Sequence, residues 1–232
     1  MTPTPAERGP SGARDANRAR IRTRLLDSAE ELFADRGYFG VSVRDITDHA
    51  GTRVAAISEQ FGGKEKLFRH VLLRRIQPIN DDRRALLAAL PRTGPRARLL
   101  RAFIHAFTQP MLIRAGESRR WHHYFRFIAQ LANSGQSVQL LVADEYNSIA
   151  TEFIERLQQI FPDVSDTAAH DAYLLMLAST LQVFSDNLRL DSITGGRMRT
   201  GDIEQRYASL VAFLEGGITS LLRTRPPSPQ TM

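Results

Sequence analysis

Glycines at positions 37, 51 and 62–63 cut a helical apolar rhythm into short pieces, so this part of the chain can only be a cluster of small helices. Ile21, Leu25, Leu26, Ala29, Leu32 and Phe33 recur at the spacing of one helix face, and Gly37 supplies a left-handed stop where that face ends. Ser42 opens a second segment with Asp45 three residues on, a capping pattern, followed by Ile46 and Ala50. Gly51 closes it. A third segment from Val54 to Phe61 carries Val54, Ile57 and Phe61 at helical spacing, and Lys64 starts a longer helix after Gly62–Gly63. Three short helices with a tight turn between the second and third make a helix-turn-helix. In such a unit the second helix braces against the DNA backbone and the third enters the major groove, whose width admits one helix. Gly51 suits the sharp turn, and Ala50 is small enough for close approach.

The remainder reads as further helices, giving an all-α chain of about nine. Pro78 predicts a kink or restart before a segment over 79–90, and Pro91, Gly94 and Pro95 predict a loop. Later helices are expected over Arg96–Gln109, Arg119–Ala132, Ser137–Ile160, Asp166–Leu190 and Asp202–Arg223. The expected domains are a disordered arm (1–17), a helix-turn-helix domain (18–65), a larger helical domain (66–224) and a disordered tail (225–232). No window alternates as a strand would, and no internal repeat is visible.

Charge and composition narrow the function. The formal net charge is +6, and Arg8, Arg14, Arg18, Arg20, Arg22 and Arg24 are opposed within residues 8–24 only by Asp15. That run fits a phosphate-binding arm or a solvated leader equally well. With no cysteine there can be no disulfide, thiolate metal site or cysteine nucleophile, and a reducing, cytoplasmic setting is expected. The first twenty residues lack the apolar run of a secretory signal, and no stretch approaches the ~20 apolar residues of a membrane span. An enzyme is not expected. No nucleophile–base spacing, dinucleotide loop or HExxH occurs, and Gly62-Gly63-Lys64-Glu65 lacks the leading glycine and following Ser/Thr of a phosphate loop.

The run from Arg24 through Ser28, Ala29, Leu32, Phe33 and Gly37 to Tyr38 is followed by Ser42-Val43-Arg44-Asp45-Ile46 and Ala50-Gly51. Ala55-Ala56-Ile57 and Phe61-Gly62-Gly63-Lys64 complete the set. Taken in order over residues 18–72, these motifs resemble the TetR family of repressors. The resemblance implies phosphate contacts from Ser42, at the start of the second helix, and from Lys64, at the start of the fourth. Lys64 also stands at a helix N-terminus, where amides and dipole favour an anion. Arg44 is a candidate base or phosphate contact. The third helix departs from the family pattern at Arg53, Ser58, Glu59 and Gln60, which with Ala55 are its candidate DNA contacts. Arg53 can read guanine and Gln60 adenine. Glu59 either accepts from a cytosine amino group or turns aside and pairs with a nearby arginine. An adaptor of the same fold that has lost DNA binding is the alternative this helix leaves open.

In the larger domain, Phe103, His105, Phe107, Trp121, His122, Tyr124, Phe125 and Ile128 concentrate aromatic and polar groups on two middle helices. That composition suits either a mostly apolar cavity for a small-molecule effector or ordinary core. His122 and His123 project about 100° apart, a poor chelate, so no metal and no cofactor are expected. Ile203, Tyr207, Leu210, Val211, Leu214, Ile218, Leu221 and Leu222 form one apolar stripe; Leu174, Leu177, Ala178, Leu181, Phe184 and Leu188 form another. The resemblance implies a homodimer through these last two helices, bound to a palindromic double-stranded operator. Gly216–Gly217 would permit close helix approach there.

Overall fold

A computed structural model describes residues 10–132 and 143–223, and every element in the described residues is a helix. The helices are α1 (Pro10–Arg36), α2 (Val43–Ala50), α3 (Ala55–Phe61), α4 (Lys64–Ala88), α5 (Arg96–Glu117), α6 (Arg119–Ala132), α7 (Ala143–Ile160), α8 (Asp166–Phe184), α9 (Arg189–Thr194) and α10 (Ile203–Arg223). The chain divides into two compact units at Leu72/Leu73.

The first unit is organised by the face of α1 read from the sequence. Leu25, Ala29, Leu32 and Phe33 are buried there with Val41, Ile46, Ile57, Leu67 and Phe68. Each large apolar side chain so buried contributes about 1.5–3 kcal/mol. Phe33 meets Phe68 edge-on at 5.2 Å, and Tyr38 meets Phe68 at 4.7 Å. The capping box forms: the Asp45 amide donates to Ser42 Oγ at 3.1 Å, and the Ser42 amide donates to Asp45 Oδ2 at 2.7 Å. Gly51 ends α2 at φ 58°, and a Cβ there would lie 2.6 Å from the Arg24 guanidinium. Backbone stereochemistry therefore favours glycine at the turn, whereas the arginine tip could swing aside.

At two prolines the chain stays helical, so the restart allowed at Pro78 does not occur and the helix expected to end at Gln109 is longer. α4 runs through Pro78 as a single helix, and α5 continues past Gln109 through Pro110 to Glu117. An internal proline costs ~3 kcal/mol. Around Pro110 that cost is offset by burial of Phe103, Phe107, Pro110 and Met111 on one face. α1 also begins at Pro10, inside the segment expected to be disordered. Proline is tolerated in a first turn, because its missing N–H has no intrahelical partner to lose.

In the second unit α10 packs on α8 and α5, while α6 and α7 pack on α5 and α8. Polar ties fix the packing. Arg84 Nε donates to both carboxylate oxygens of Glu152 at 2.9 and 3.1 Å, and Arg101 grips Glu215. α8 stops at Phe184 rather than Leu190, and α9 follows. Asp186 and Leu188 take left-handed conformations in the turn, and the Asp191 carboxylate accepts from the Thr200 amide and hydroxyl. The start expected for α7, near Ser137, and the tail over 225–232 lie outside the described residues. No helix among the described residues is long and apolar enough to cross a membrane.

Candidate functional site

α3 buries Ala56, Ile57 and Phe61 and turns Ala55, Ser58 and Glu59 outward, with Arg53 and Val54 exposed at its start. This division follows from helical spacing, since positions 57 and 61 share a face and 55, 58 and 59 oppose it. Gln60 is half-buried at the edge, its carbonyl held by Arg22 at 2.8 Å. Arg22 also lies over the Phe61 ring at 4.3 Å. An arginine that reads in the sequence as part of a basic run thus serves as a clamp on α3.

The Arg53 guanidinium donates to Glu59 at 2.7 Å, so the carboxylate turns to its own arginine. The neighbouring surface is an open groove lined by Arg14, Arg18, Arg20 and Arg24 of α1 and by Arg53, Glu59 and Gln60. Four cations of α1 therefore reach the same groove as α3. The sequence left this run undecided between arm and leader.

Ser42 and Lys64 have structural partners of their own. The Ser42 hydroxyl belongs to the capping box, and Ser42's side-chain and backbone hydrogen bonds hold the Asp45 carboxyl below its ordinary value. Lys64 Nζ donates to the Tyr38 carbonyl at 2.6 Å and lies over the Tyr38 ring at 4.2 Å. Burial lowers the pKa of this ammonium, and Asp45 opposes the shift. An ammonium carries three donors, so two remain for an anion. Arg44 is exposed on α2 and has no side-chain hydrogen bond or ion pair among the described residues.

In the second unit the eight aromatic and polar candidates fall into two groups. Phe103 and Phe107 meet Phe153 of α7 at 5.3 and 5.2 Å. Trp121, Tyr124 and Phe125 pack together, and Phe125 meets Phe184 at 5.3 Å. Phe103, Phe107, Trp121, Tyr124 and Phe125, with Ile128, are buried. His105 and His122 are half-buried: His105 Nδ1 lies 2.9 Å from the Tyr207 hydroxyl, and His122 Nε2 lies 3.1 Å from the Ala115 carbonyl. No group of acidic, histidine or cysteine side chains among the described residues could hold a metal ion. The sequence reading missed Phe153, Tyr173 and Arg83. Arg83 could have been found from its register, four residues after Ile79 and seven after Ile76 on the buried side of α4.

Comparison with known proteins agrees with this geometry. The family pattern for bacterial regulatory proteins of the tetR family matches residues 25–71, and a tetracyclin repressor-like C-terminal domain matches residues 105–217. The HTH-type transcriptional repressor KstR2 of Rhodococcus jostii is 37% identical over 109 residues, covering 42% of this chain and 50% of that protein. The HTH-type transcriptional activator FasR of Mycolicibacterium smegmatis is 34% identical over 86 residues, covering 37% of this chain and 38% of that protein. The matches thus span half or less of each curated relative. The fold is shared with FadR of Bacillus subtilis, crystallised with stearoyl-CoA, at a TM-score of 0.54 and 14% identity, covering 84% of this chain and 98% of that one. With its helix-turn-helix unit and its larger helical unit each matching, the chain belongs to the TetR family of bacterial regulatory proteins.

Proposed function

We propose that this chain is a sequence-specific DNA-binding transcriptional regulator, a repressor released from a palindromic operator by a small-molecule effector. The observation that carries the reading is the exposed face of α3, braced by a capped α2 and flanked by a groove lined by Arg14, Arg18, Arg20 and Arg24. A polyanion with a groove one helix wide is the partner such a surface fits. Lys64 and Ser42 position phosphates in this reading, Arg44 contacts phosphate or a base edge, and Arg53, Ser58 and Gln60 read bases.

The regulator acts as a homodimer through its last two long helices. On α8, Leu174 and Leu175 are 57% and 58% exposed, and on α10 Phe213 is 67% exposed. Gly216 and Gly217 have open space around them, which lets a second backbone approach. A helix-turn-helix monomer contacts too little DNA for specificity, whereas a twofold pair spans half-sites about 34–36 Å apart. An effector in the aromatic interior of the second unit would favour a conformation with lower operator affinity.

Binding to the chain's own upstream DNA at two salt concentrations tests the reading. Specific retention that falls steeply with salt supports it. Retention without sequence preference at either salt favours the adaptor instead, the reading that the Arg53–Glu59 pairing supports by neutralising a cation beside α3.

A further inference from the structure

Arg83 lies on the inner side of α4 and is 5% exposed. Its partners are all neutral: Nε donates to the Phe107 carbonyl at 2.9 Å, one terminal nitrogen to Asn80 Oδ1 at 3.3 Å and the other to Met111 Sδ at 3.3 Å. The guanidinium lies 3.9 Å from the centre of the Phe107 ring. The carboxylates nearest in sequence face other arginines, Asp81 at 3.9 Å from Arg84 and Asp82 at 2.7 Å from Arg114. Arg83 itself forms no ion pair among the described residues. The groups that oppose the fall in its pKa are the phenols of Tyr173, Tyr124 and Tyr146, which are uncharged at neutral pH.

A buried cation without a counter-charge is costly, and the side chain still keeps its proton at neutral pH. Burial lowers its pKa only to about 10. Interior arginines of this kind are expected to be paired. Of its three hydrogen bonds, the one to Asn80 is long and the one to Met111 ends on a thioether, a weak acceptor on a flexible chain. A carboxylate would replace both with two short charge-assisted bonds in the fork geometry that guanidinium favours. Phe107, beneath the guanidinium, packs on Phe153, as does Phe103, so the surroundings of the fork are apolar.

We propose that Arg83 is the anchor of an effector site for an organic carboxylate with an apolar body, its anionic head replacing Met111 and Asn80 on the guanidinium. The proposal rests on the reading of the second unit as an effector-binding domain. It adds what that reading lacks, the chemical class of the ligand and the residue that selects it.

Trp121 is the chain's single tryptophan and packs 5.9 Å from Tyr124, so its emission reports on this interior. The test titrates the full chain with hexanoate, decanoate and benzoate, and with the alcohols hexanol, decanol and benzyl alcohol. Emission and thermal melting are followed together. At least one carboxylate is expected to bind about tenfold or more tightly than its alcohol, the range of a hydrogen-bonded charge in place of a neutral contact. Arg83→Met should abolish that preference. Because Arg83→Met could alter folding, Arg83→Lys is measured as well: it keeps the charge, loses the fork, and should weaken the carboxylate alone. Carboxylates binding no better than their alcohols, or a preference that survives Arg83→Met, overturns the anchor. Release of the protein from DNA separates the two ideas. A neutral compound that releases DNA keeps the effector reading and removes the anchor. An Arg83-dependent carboxylate that leaves DNA binding untouched does the reverse.

Discussion

The Arg53 guanidinium donates to the Glu59 carboxylate at 2.7 Å at the exposed start of α3. A carboxylate on a surface that meets phosphate would ordinarily oppose binding. Here its charge is matched from six residues away, and the cost falls instead on Arg53, whose guanidinium is shared. Glu59→Gln should therefore raise DNA affinity, by less than about tenfold because the pair is exposed, and should leave the melting temperature nearly unchanged. The expected gain shrinks as salt rises. Filter binding or fluorescence anisotropy on operator and random duplexes measures it. A loss of affinity confined to sequences with cytosine at one position would show that Glu59 reads a base instead.

Lys64 and Arg53 differ in what surrounds them, and their variants should differ accordingly. Lys64 is held against Tyr38 by its carbonyl and ring, at a fixed place in the first turn of α4. A cation so fixed offers a point charge, not a reading head. Lys64→Ala should weaken binding to every sequence alike and reduce the salt slope by about 1, whereas Arg53→Ala should relax preference at one base position. A panel of single-substitution operators separates the outcomes, and identical profiles for the two variants would refute the division.

Much of the first unit is legible in the sequence because its signals are local. Ser42 with Asp45, Gly37 and Gly51 mark helix ends through backbone chemistry that needs no distant partner. The Arg53–Glu59 pair was one of two fates the sequence left open, and a spacing of six residues could not decide between them. What stayed hidden depends on neighbours distant in sequence. Pro78 reads as a kink or restart and the next helix as ending at Gln109, until burial around Pro78 and Pro110 outweighs the lost hydrogen bonds. Arg83 lies in the run Asp81-Asp82-Arg83-Arg84, which reads as a solvated face, and only the register with Ile76 and Ile79 places it inside. The last two helices divide the same way. Ile203, Leu210, Val211, Leu214 and Ile218 of the long stripe are spent on the chain's own core, leaving Phe213 and the glycines outside.

His70 gives the first unit a pH dependence whose sign is fixed by its surroundings. Burial lowers its pKa from the ordinary 6.5, and the charges of Arg22 and Arg69 act in the same direction; its ring meets Phe61 at 5.5 Å. The unfolded chain therefore takes up this proton more readily than the folded one. The stabilisation is present above the ordinary value and is lost as pH falls through it toward the folded value. Thermal melts at pH 7.5 and pH 5.5 should show lower stability at the acid point, and His70→Asn should flatten that difference. An unchanged slope in the variant would assign the acid sensitivity elsewhere.

Phe213 and Leu214 are adjacent on α10 yet face opposite surroundings, 67% and 2% exposed. If α8 and α10 pair with a second copy, Phe213 is an interface anchor and Leu214 a core residue of its own chain. Phe213→Glu should then yield a monomer by analytical ultracentrifugation, with helix content intact and operator affinity sharply reduced, because one reading head cannot span two half-sites. Leu214→Ala should do the opposite, leaving the dimer and lowering stability by about 2–5 kcal/mol. A wild-type protein that sediments as a monomer while binding its operator tightly would remove the twofold arrangement. The exposed apolar residues of α8 and α10 would then need another occupant.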